Sequence, residues 1–473
     1  MSTEKTTEKA SEPKKSQPNY IKTRDDVDIV KFETSENGKF KLSLDSSCSW
    51  LKEGQEFKER ELRPRIEPWL TSLFQSEHLT LLAGSGLTHA VHVLSTGEKA
   101  AGMDKIEFSI LAKKINAATK ASATNANRKE GNIEDQIRVA NELLRGLEVL
   151  GCKQADQIRK DITDALNNFA KSILKSESGI ATAKDEIKRE KAFNILINFL
   201  MSFASRTGTR DRLNIFTTNY DRLIEAGAEL AGLHLLDRFL GNLMPIFRSS
   251  RLDLDMHYNP PGIRGEPRYL EGVARFTKLH GSVDWVQAGK DIRRIGLPFG
   301  VENVDPYLNA PALKGATAHE LMIYPNSAKD RETAAYPYVE LFRDFAAATC
   351  RPNSTLVTFG YSFGDEHINR IIEDMLTIPS THLVIISYDD PLGRIIKTYE
   401  KIGRPPQITL LVGNHLGDLK TLTEHYLPKS AIDRATSRMS ELLKQRFGTQ
   451  HSENIDINNA QSKSDEDTSG DTK

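Results

Sequence analysis

Residues 79–86 of this 473-residue chain read LTLLAGSG, an apolar run that ends abruptly at Gly84-Ser85-Gly86. A short apolar run bounded by glycines is typical of a buried strand that leads into a tight loop. Similar runs recur downstream and alternate with helical patterns over 338–349, 367–376 and 392–401; they read LNIFTTN (213–219), HELMIYP (319–325), STLVTF (354–359), THLVIIS (381–387) and ITLLVGN (408–414). This alternation predicts an α/β fold with a doubly wound, mostly parallel sheet that is covered on both faces.

The rest of the chain divides by composition. The two ends have almost nothing to bury, which is typical of disorder. Alternating residues around Asn37-Gly38 predict a β-hairpin from Val27 to Leu44, and the spacing from Ile66 to Leu73 predicts a helix. The predicted segments are two disordered tails (1–22 and 449–473), an N-terminal β-hairpin extension (23–66), the sheet domain (67–103 and 207–427), an insertion of four to six helices (104–206) and a C-terminal helix (428–448).

Charge and cysteine content exclude several classes of protein. Lys and Arg total 64 and Asp and Glu total 65, so the chain does not bind nucleic acid through bulk charge, and we expect no direct nucleic-acid binding. No stretch approaches the length of a membrane helix, and the polar N-terminus does not resemble a secretory signal. Cys48, Cys152 and Cys350 are too few for a four-cysteine zinc site and too scattered for a disulfide framework. We therefore expect a cytoplasmic protein that is not associated with a membrane.

Two polar motifs stand at the ends of early predicted strands, where a sheet of this kind binds its ligands. The glycines of Gly84-Ser85-Gly86 let the backbone turn sharply and approach a phosphate at the N-terminus of the next helix. A plain strand-to-helix turn is the alternative. The second motif, TTNYD (217–221), places polar groups where the apolar run ends, and simple helix capping by Asn219 or Asp221 is the alternative.

Two further motifs follow. In KLHGS (278–282), the glycine after His280 leaves the imidazole open to a cleft, although a buried histidine with satisfied hydrogen bonds is the alternative. GYSFGD (360–365) repeats the small residues and the hydroxyl of the first loop in front of another predicted helix, and a plain turn is again the alternative. Each motif alone is a modest signal, and their order along the chain is more specific.

In this order the motifs resemble those of the sirtuin family, which carries Gly-Ala-Gly, Thr-Gln-Asn-x-Asp-x-Leu, His-Gly and Gly-Thr-Ser. TTNYD and KLHGS are the specific part, and the resemblance covers about residues 75–425 without most of the helical insertion. The chain resembles in particular the sirtuin-like, NAD-hydrolysing branch of bacterial anti-phage defence. This resemblance implies a Rossmann-like sheet that takes NAD+ as its substrate.

The resemblance also implies a role for each matching residue. Asn219 matches the family's catalytic asparagine, which positions water near the nicotinamide ribose. His280 matches the catalytic histidine, which contacts the ribose hydroxyls as a general base, and Asp221 would hold the Asn219 loop. The other matching residues would contact the dinucleotide; they are Gly84, Ser85, Gly86, Thr217, Thr218, Gly360 and Ser362, with Tyr388 and Asp389 near the adenosine ribose.

The chain departs from sirtuin deacylases at several points. It lacks the four cysteines of their zinc module, so we expect no metal, and Thr218 stands where the family has Gln. LTHAVHV after Gly86 lacks the family's Ile-Pro-x-Phe-Arg stretch, and a long loop separates Asn219 from His280. These departures weaken a deacylase interpretation and leave the residues for NAD+ cleavage in place.

The helical insertion carries one more resemblance. Residues 132–136, NIEDQ, resemble a stretch that follows the glycine loop in defence-type members. Glu134 either lies on a solvated helix face or reaches the site, and the insertion itself reads as a lid or an oligomer-forming domain.

The resemblance implies an NAD+ glycohydrolase that depletes NAD+ during infection. The chain has no P-loop and no recognisable sensing domain. We therefore expect a homo-oligomer with a separate sensor partner, such as a HerA-type ATPase or a short Argonaute. An NAD-dependent protein deacylase or ADP-ribosyltransferase is one alternative, and a non-catalytic scaffold that binds NAD or ADP-ribose is another.

Overall fold

The computed structural model describes residues 18–35, 38–52, 54–100, 105–125, 131, 133–205, 211–250, 254–258, 268–313, 317–318 and 336–429. Their strands are β1 (Asn19–Lys22), β2 (Val30–Thr34), β3 (Phe40–Leu42), β4 (Glu56–Phe57), β5 (His78–Ala83), β6 (Leu213–Thr217), β7 (His234–Leu236), β8 (Phe239–Leu240), β9 (Ile246–Phe247), β10 (His257–Tyr258), β11 (Arg268–Tyr269), β12 (Val273–Lys278), β13 (Trp285–Ala288), β14 (Asp291–Arg294), β15 (Thr317–Ala318), β16 (Ser354–Phe359), β17 (His382–Ser387) and β18 (Ile408–Val412).

In the described part of the chain, helices separate the longer strands, and five of them, α2 to α6, lie between β5 and β6. The helices are α1 (Glu59–Phe74), α2 (Ser85–Thr96), α3 (Ala112–Asn125), α4 (Ile133–Val149), α5 (Gln154–Ala181), α6 (Glu186–Ala204), α7 (Leu223–Leu230), α8 (Tyr338–Thr349), α9 (Glu366–Met375), α10 (Arg394–Ile402) and α11 (Leu419–Thr421). Short 3-10 turns occupy Asp305–Asn309, Pro311–Leu313 and Pro405–Gln407, and a π-helical turn over Leu422–Tyr426 follows α11.

One large sheet organises the molecule. Its strand order within the described residues is β4-β3-β2-β1-β18-β17-β16-β5-β6-β12-β7. The seven strands from β18 to β7 are parallel, while β1 to β4 extend the sheet with antiparallel pairing. The prediction of an α/β fold with a doubly wound, mostly parallel sheet is therefore confirmed.

The winding direction reverses beside β5. From β5 the chain continues to β6, β7 and β12 on one side of the sheet, and then returns to β16, β17 and β18 on the other side. The loops after β5 and β16 therefore leave in opposite directions and open a crevice between them. In sheets of this type, ligands bind at such a crevice outside the carboxyl ends of the strands.

Both faces of the central strands are buried. Leu81 and Ala83 of β5 join the apolar cluster on the side of α1, α2, α6 and α7, whereas Leu82 joins the cluster on the side of α8, α9 and α10. Every residue of β5 is buried, which explains the mostly apolar run LTLLA; His78 and Thr80 are the strand's buried polar residues.

The N-terminal extension adds strands to the edge of this sheet. β2 and β3 pair as the predicted hairpin. Residues 19–22, which we assigned to a disordered tail, form β1 and pair with β18 through Tyr20 and Val412. The tail prediction is wrong for these four residues. Asn19 and Lys22 are buried through contacts with chain nearly 400 residues away, a partner that local composition does not reveal.

The segment predicted as a helical insertion, 104–206, contains α3, α4, α5 and α6 in its described part. Several other predictions lie outside the described residues: the strand at 319–325, residues 1–17 of the N-terminal tail, the C-terminal tail, and all of the C-terminal helix except 428–429. The Glu134 side chain also lies outside them. None of the described helices is long and apolar enough to cross a membrane.

His382, the first residue of β17, is partly buried. Its Nε2 lies 2.8 Å from Thr409 Oγ1, and its ring stands nearly perpendicular to the Trp69 indole. Burial lowers the pKa of His382 to about 4, and the charge of Lys22 acts in the same direction. The folded protein therefore holds His382 neutral, whereas the unfolded chain protonates it below pH 6.5.

This difference predicts a loss of stability on acidification. The contribution of neutral His382 is fully present above pH 6.5 and is lost as the pH falls towards 4, by about 2 kcal/mol at pH 4.5. Replacing His382 by Gln should reduce the difference in unfolding free energy between pH 7 and pH 4.5 by that amount in urea titrations. An identical pH dependence of both proteins would contradict the assignment.

Candidate active site

The candidate site lies at the carboxyl ends of β5, β6, β12 and β16, which are the four strands that precede the motifs. β5 pairs with both β16 and β6, and β6 pairs with β12, so these strands are consecutive in the sheet. Their following loops meet at one edge. The sheet topology therefore brings together four motifs that span residues 84–365.

The glycine loop and the loop after β16 touch through their backbones. A β-carbon on Gly84 would lie 2.4 Å from Gly360 O, and one on Gly86 would lie 2.6 Å from Gly360 Cα. Gly84 N donates to Phe359 O at 2.9 Å, and Gly86 N donates to Gly360 O at 3.1 Å. No side chain fits between the two loops. The bare backbone next to the start of α2 suits a pyrophosphate, which needs close approach to N–H groups.

Asn219 is held firmly at this edge. Its Nδ2 donates to Gly84 O and to Thr88 Oγ1, both at 3.0 Å, and its backbone N donates to Thr217 Oγ1 at 3.0 Å. The Thr217 hydroxyl in turn donates to Ala83 O at 2.9 Å. Because Nδ2 has these two acceptors, Oδ1 is the atom through which the amide can orient a bound water.

Thr88 links Asn219 to Asp221. The Thr88 hydroxyl receives the Asn219 bond and donates to Asp221 Oδ2 at 2.7 Å, while Asp221 Oδ1 accepts from Leu223 N at 3.1 Å. Asp221 therefore connects Thr88 to the first N–H of α7. Thr88 was not predicted. Its only signal is a hydroxyl one turn into the helix after Gly-Ser-Gly.

His280 pairs with a carboxylate from the fourth motif. His280 Nε2 lies 2.9 Å from Asp365 Oδ2, and both residues are buried, with exposures of 2% and 4%. The other carboxylate oxygen of Asp365 accepts from His367 N at 3.0 Å and caps α9. One aspartate thus orients the imidazole and starts a helix. Nothing in the sequence pointed to the pairing of Asp365 with His280, which lies 85 residues away.

Lys278 ties the Asn219 and His280 loops together. Its buried ammonium group donates to Asp221 O, to Glu225 Oε1 at 2.8 Å and to Ser282 Oγ at 2.9 Å. Burial raises the pKa of Glu225, and the Lys278 charge opposes that rise. Lys278 stands inside the predicted KLHGS motif, but we had assigned no role to it.

The remaining predicted residues lie at the rim. Ser85 and Ser362 are exposed beside the glycine contact, and Thr218 is half-buried, with its N–H donating to Ala83 O at 3.3 Å. Asp389 follows β17, one strand beyond β16. Partial burial and the charge of Asp390 raise the pKa of Asp389, while His89 and Lys99 oppose the rise.

This arrangement contains the groups needed to position a water molecule and to take a proton from it. Asn219 offers a fixed amide oxygen, His280 offers an imidazole oriented by a carboxylate, and the Gly84–Gly360 contact offers backbone at a helix N-terminus. An imidazole paired with a carboxylate is the usual form of a protein general base. Within the described ranges, no group of three or more His, Cys, Asp or Glu side chains is close enough to hold a metal ion.

The glycine contact predicts the outcome of a matched pair of substitutions. Gly360 and Gly393 have φ of +61° and +63°, so alanine is strained by a similar amount at each. A β-carbon at 360 would also meet Gly86 Cα at 2.6 Å, whereas nothing lies within 4 Å at 393. Gly360→Ala should therefore lower the unfolding free energy by about 1–3 kcal/mol more than Gly393→Ala in urea titrations. An equal loss of unfolding free energy in the two variants would show that the loops move apart at no cost when a β-carbon is added at position 360.

Residues 213–403 match the family model of the SIR2-like domain, and this segment is less than half of the chain. It runs from β6 to the end of α10, so it contains Asn219, His280 and Asp365 but not the Gly84 loop. No curated protein matches the chain. The match suggests an NAD-related activity and is consistent with an NAD-processing enzyme. Over these residues the chain is similar to a SIR2-like domain, which supports its resemblance to the sirtuin-like family.

Proposed function

We propose that this protein is an NAD+ glycohydrolase that cleaves NAD+ to nicotinamide and ADP-ribose. The observation that carries the proposal is the juxtaposition of Asn219 and the His280–Asp365 pair around the Gly84–Gly360 contact at the crevice of the sheet. The SIR2-like match supplies the connection to NAD+. The dinucleotide's pyrophosphate would lie against the two glycine loops, with its nicotinamide ribose towards Asn219.

The reaction needs little acid catalysis, because nicotinamide leaves as a neutral molecule. The bond between the ribose C1′ and the nicotinamide nitrogen breaks, and a bond from C1′ to a water oxygen forms. Asn219 Oδ1 would orient that water, but an amide cannot take its proton. His280 would accept the proton, and its pairing with Asp365 stabilises the imidazolium that results. Positioning and a preorganised polar site supply most of the rate in such a scheme.

The biological part of the proposal is depletion of NAD+ in bacterial anti-phage defence. It rests on the sequence resemblance, as do the expected homo-oligomer and the separate sensor partner, a HerA-type ATPase or a short Argonaute. The expected cytoplasmic location rests instead on the three scattered cysteines and the polar N-terminus. Purification of the chain with its genomic neighbours, followed by light scattering and NAD+ assays of the complex, would test these expectations together.

Product analysis separates the proposal from its alternatives. A hydrolase releases free ADP-ribose, a deacylase releases O-acyl-ADP-ribose, and a transferase labels protein. A non-catalytic scaffold binds NAD+ and leaves it intact. Of these reactions, only hydrolysis uses water as the acceptor of the ADP-ribosyl group. The buried His280–Asp365 pair can take the proton of that water, and the Asn219 amide can orient it.

Removal of the Asn219 or His280 side chain should strongly reduce turnover. We expect Asn219→Ala and His280→Ala each to lower kcat roughly 100- to 10,000-fold, because they remove the group that orients the water and the group that takes its proton. Asn214→Ala and His382→Ala are the matched controls, since these residues lie at the amino ends of β6 and β17, on the far edge of the sheet. Full activity in Asn219→Ala and His280→Ala would refute the assignment of the site.

Asp365→Asn should affect catalysis more than stability. The Asn oxygen can still cap α9, so we expect the unfolding free energy to change by less than about 1 kcal/mol. Its amino group, however, would face His280 Nε2 as a donor and favour the wrong tautomer. We therefore expect kcat to fall roughly 100-fold or more and the acidic limb of the pH–rate profile to change, because a general base acts only in its neutral form. Unchanged kcat and pH profile would leave Asp365 with a capping role only.

A further inference from the structure

A buried ion pair connects the helical insertion to the Asn219 loop. Glu177, on α5, has an exposure of 1%, and Arg222, one residue after Asp221, has an exposure of 5%. Glu177 Oε1 accepts from the backbone N of Arg222 at 2.7 Å and from its Nε at 3.3 Å, and Glu177 Oε2 accepts from Arg222 Nη2. One carboxylate therefore holds both the backbone and the side chain of the residue that ends this loop.

Arg222 also reaches a third segment. Its Nη1 donates to Leu297 O at 2.7 Å, and its Nη2 donates to Pro298 O at 3.3 Å. Ser178, which follows Glu177 on α5, donates from its Oγ to Oε1 of Glu302 at 3.1 Å, and Glu302 lies four residues after Pro298. Arg222 is thus the point at which α5, the Asn219 loop and residues 297–302 meet.

Apolar contacts accompany the ion pair. Phe169 of α5 meets the Tyr220 ring edge-on, with the ring centroids 5.6 Å apart. Tyr220 belongs to the Asn219 loop and Val283 follows the His280 motif; both share one buried cluster with Ile133 and Ile137 of α4. Helices of the insertion therefore pack directly against both loops of the candidate site.

The ion pair makes this connection specific. Removing one partner of a buried pair leaves the other charge without compensation, so the pair strongly favours one relative position of its two elements. Burial raises the pKa of Glu177 to about 7, against the lowering influence of Arg222. The three contacts of the Glu177 carboxyl group with Arg222 all act on the residue that ends the Asn219 loop.

We propose that Glu177 is a positioning residue that fixes the Asn219 loop from the helical insertion, so that α5 controls turnover at the site. The control of turnover rests on the proposed NAD+ hydrolysis, whereas the fixing of the loop does not. Glu177 touches no reacting group. A partner or a neighbouring copy that displaces α5 would act on Asn219 through Arg222.

The test uses ion pairs at the two ends of β6. Arg222 follows the strand, and Arg212 precedes it and pairs with Asp255, its Nε 2.9 Å from Asp255 Oδ1. Glu177→Ala and Asp255→Ala each remove the carboxylate opposite a buried arginine, but only the first lies at the site. Both full-length variants are compared with the unsubstituted chain by hydrogen–deuterium exchange of residues 217–223 and by NAD+ turnover.

We expect amide exchange in residues 217–223 to rise at least about tenfold in Glu177→Ala and to change little in Asp255→Ala. We expect kcat to fall roughly 10- to 100-fold in Glu177→Ala only, with a smaller change in KM, because the loop that orients water is displaced. Glu177→Gln keeps an acceptor for the Arg222 backbone N–H and should recover part of kcat and of the protection from exchange.

Two results would overturn the proposal: unchanged exchange in Glu177→Ala, or an equal rise in both variants, which would indicate a general loss of stability. If the unsubstituted chain does not turn over NAD+, the proposed hydrolysis fails, and the exchange data still decide whether Glu177 fixes the loop. Should Glu177→Ala fail to fold, Arg222→Lys takes its place, since lysine keeps the charge but lacks the guanidinium fork. Unchanged exchange in that variant would also overturn the proposal.

Discussion

The contact between Gly84, Gly86 and Gly360 is the constraint on which the site depends. It joins the loops after two neighbouring parallel strands so closely that no β-carbon fits between them. Since Gly84 O accepts from Asn219 and the Gly360 loop continues to Asp365, the same contact sets the separation of the amide from the imidazole's partner. These three glycines let a phosphate come close to the backbone. They also fix the relative positions of groups that come from four distant parts of the chain.

Polar groups around this contact are buried to an unusual degree. Asn219, His280, Lys278 and Asp365 are each less than a tenth exposed, and each has a hydrogen-bond partner in another loop of the site. Burying such groups is costly unless they are paired, so the network is stable only as a complete set. The site is therefore preorganised by the protein's own contacts, which is the condition under which fixed dipoles are most effective in catalysis.

The sequence predicted the framework and much of the edge at which the site lies. Helix 338–349 has the predicted bounds, and the strands at 354–359 and 382–387 follow directly from apolar runs, since central parallel strands are buried on both faces. The motifs indicated Asn219 and His280 because polar residues at strand ends stand out against those runs. Asp365, Thr88 and Glu177 could not be assigned in this way. Their roles arise from contacts across 45 to 133 residues, and Asp365 also caps α9, a local role that conceals the distant one.

The position of β5 has a practical consequence for any attempt to isolate the SIR2-like part of this protein. The matched segment, 213–403, begins after β5 and ends before β18, yet β5 lies between β16 and β6 in the sheet. A recombinant fragment with these boundaries would consist of two half-sheets, each with an apolar edge strand that lacks its neighbour. Such edges recruit strands from other molecules, so the fragment would aggregate rather than fold. The evolutionary module recognised by the family model and the smallest cooperative folding unit are therefore different segments of the chain.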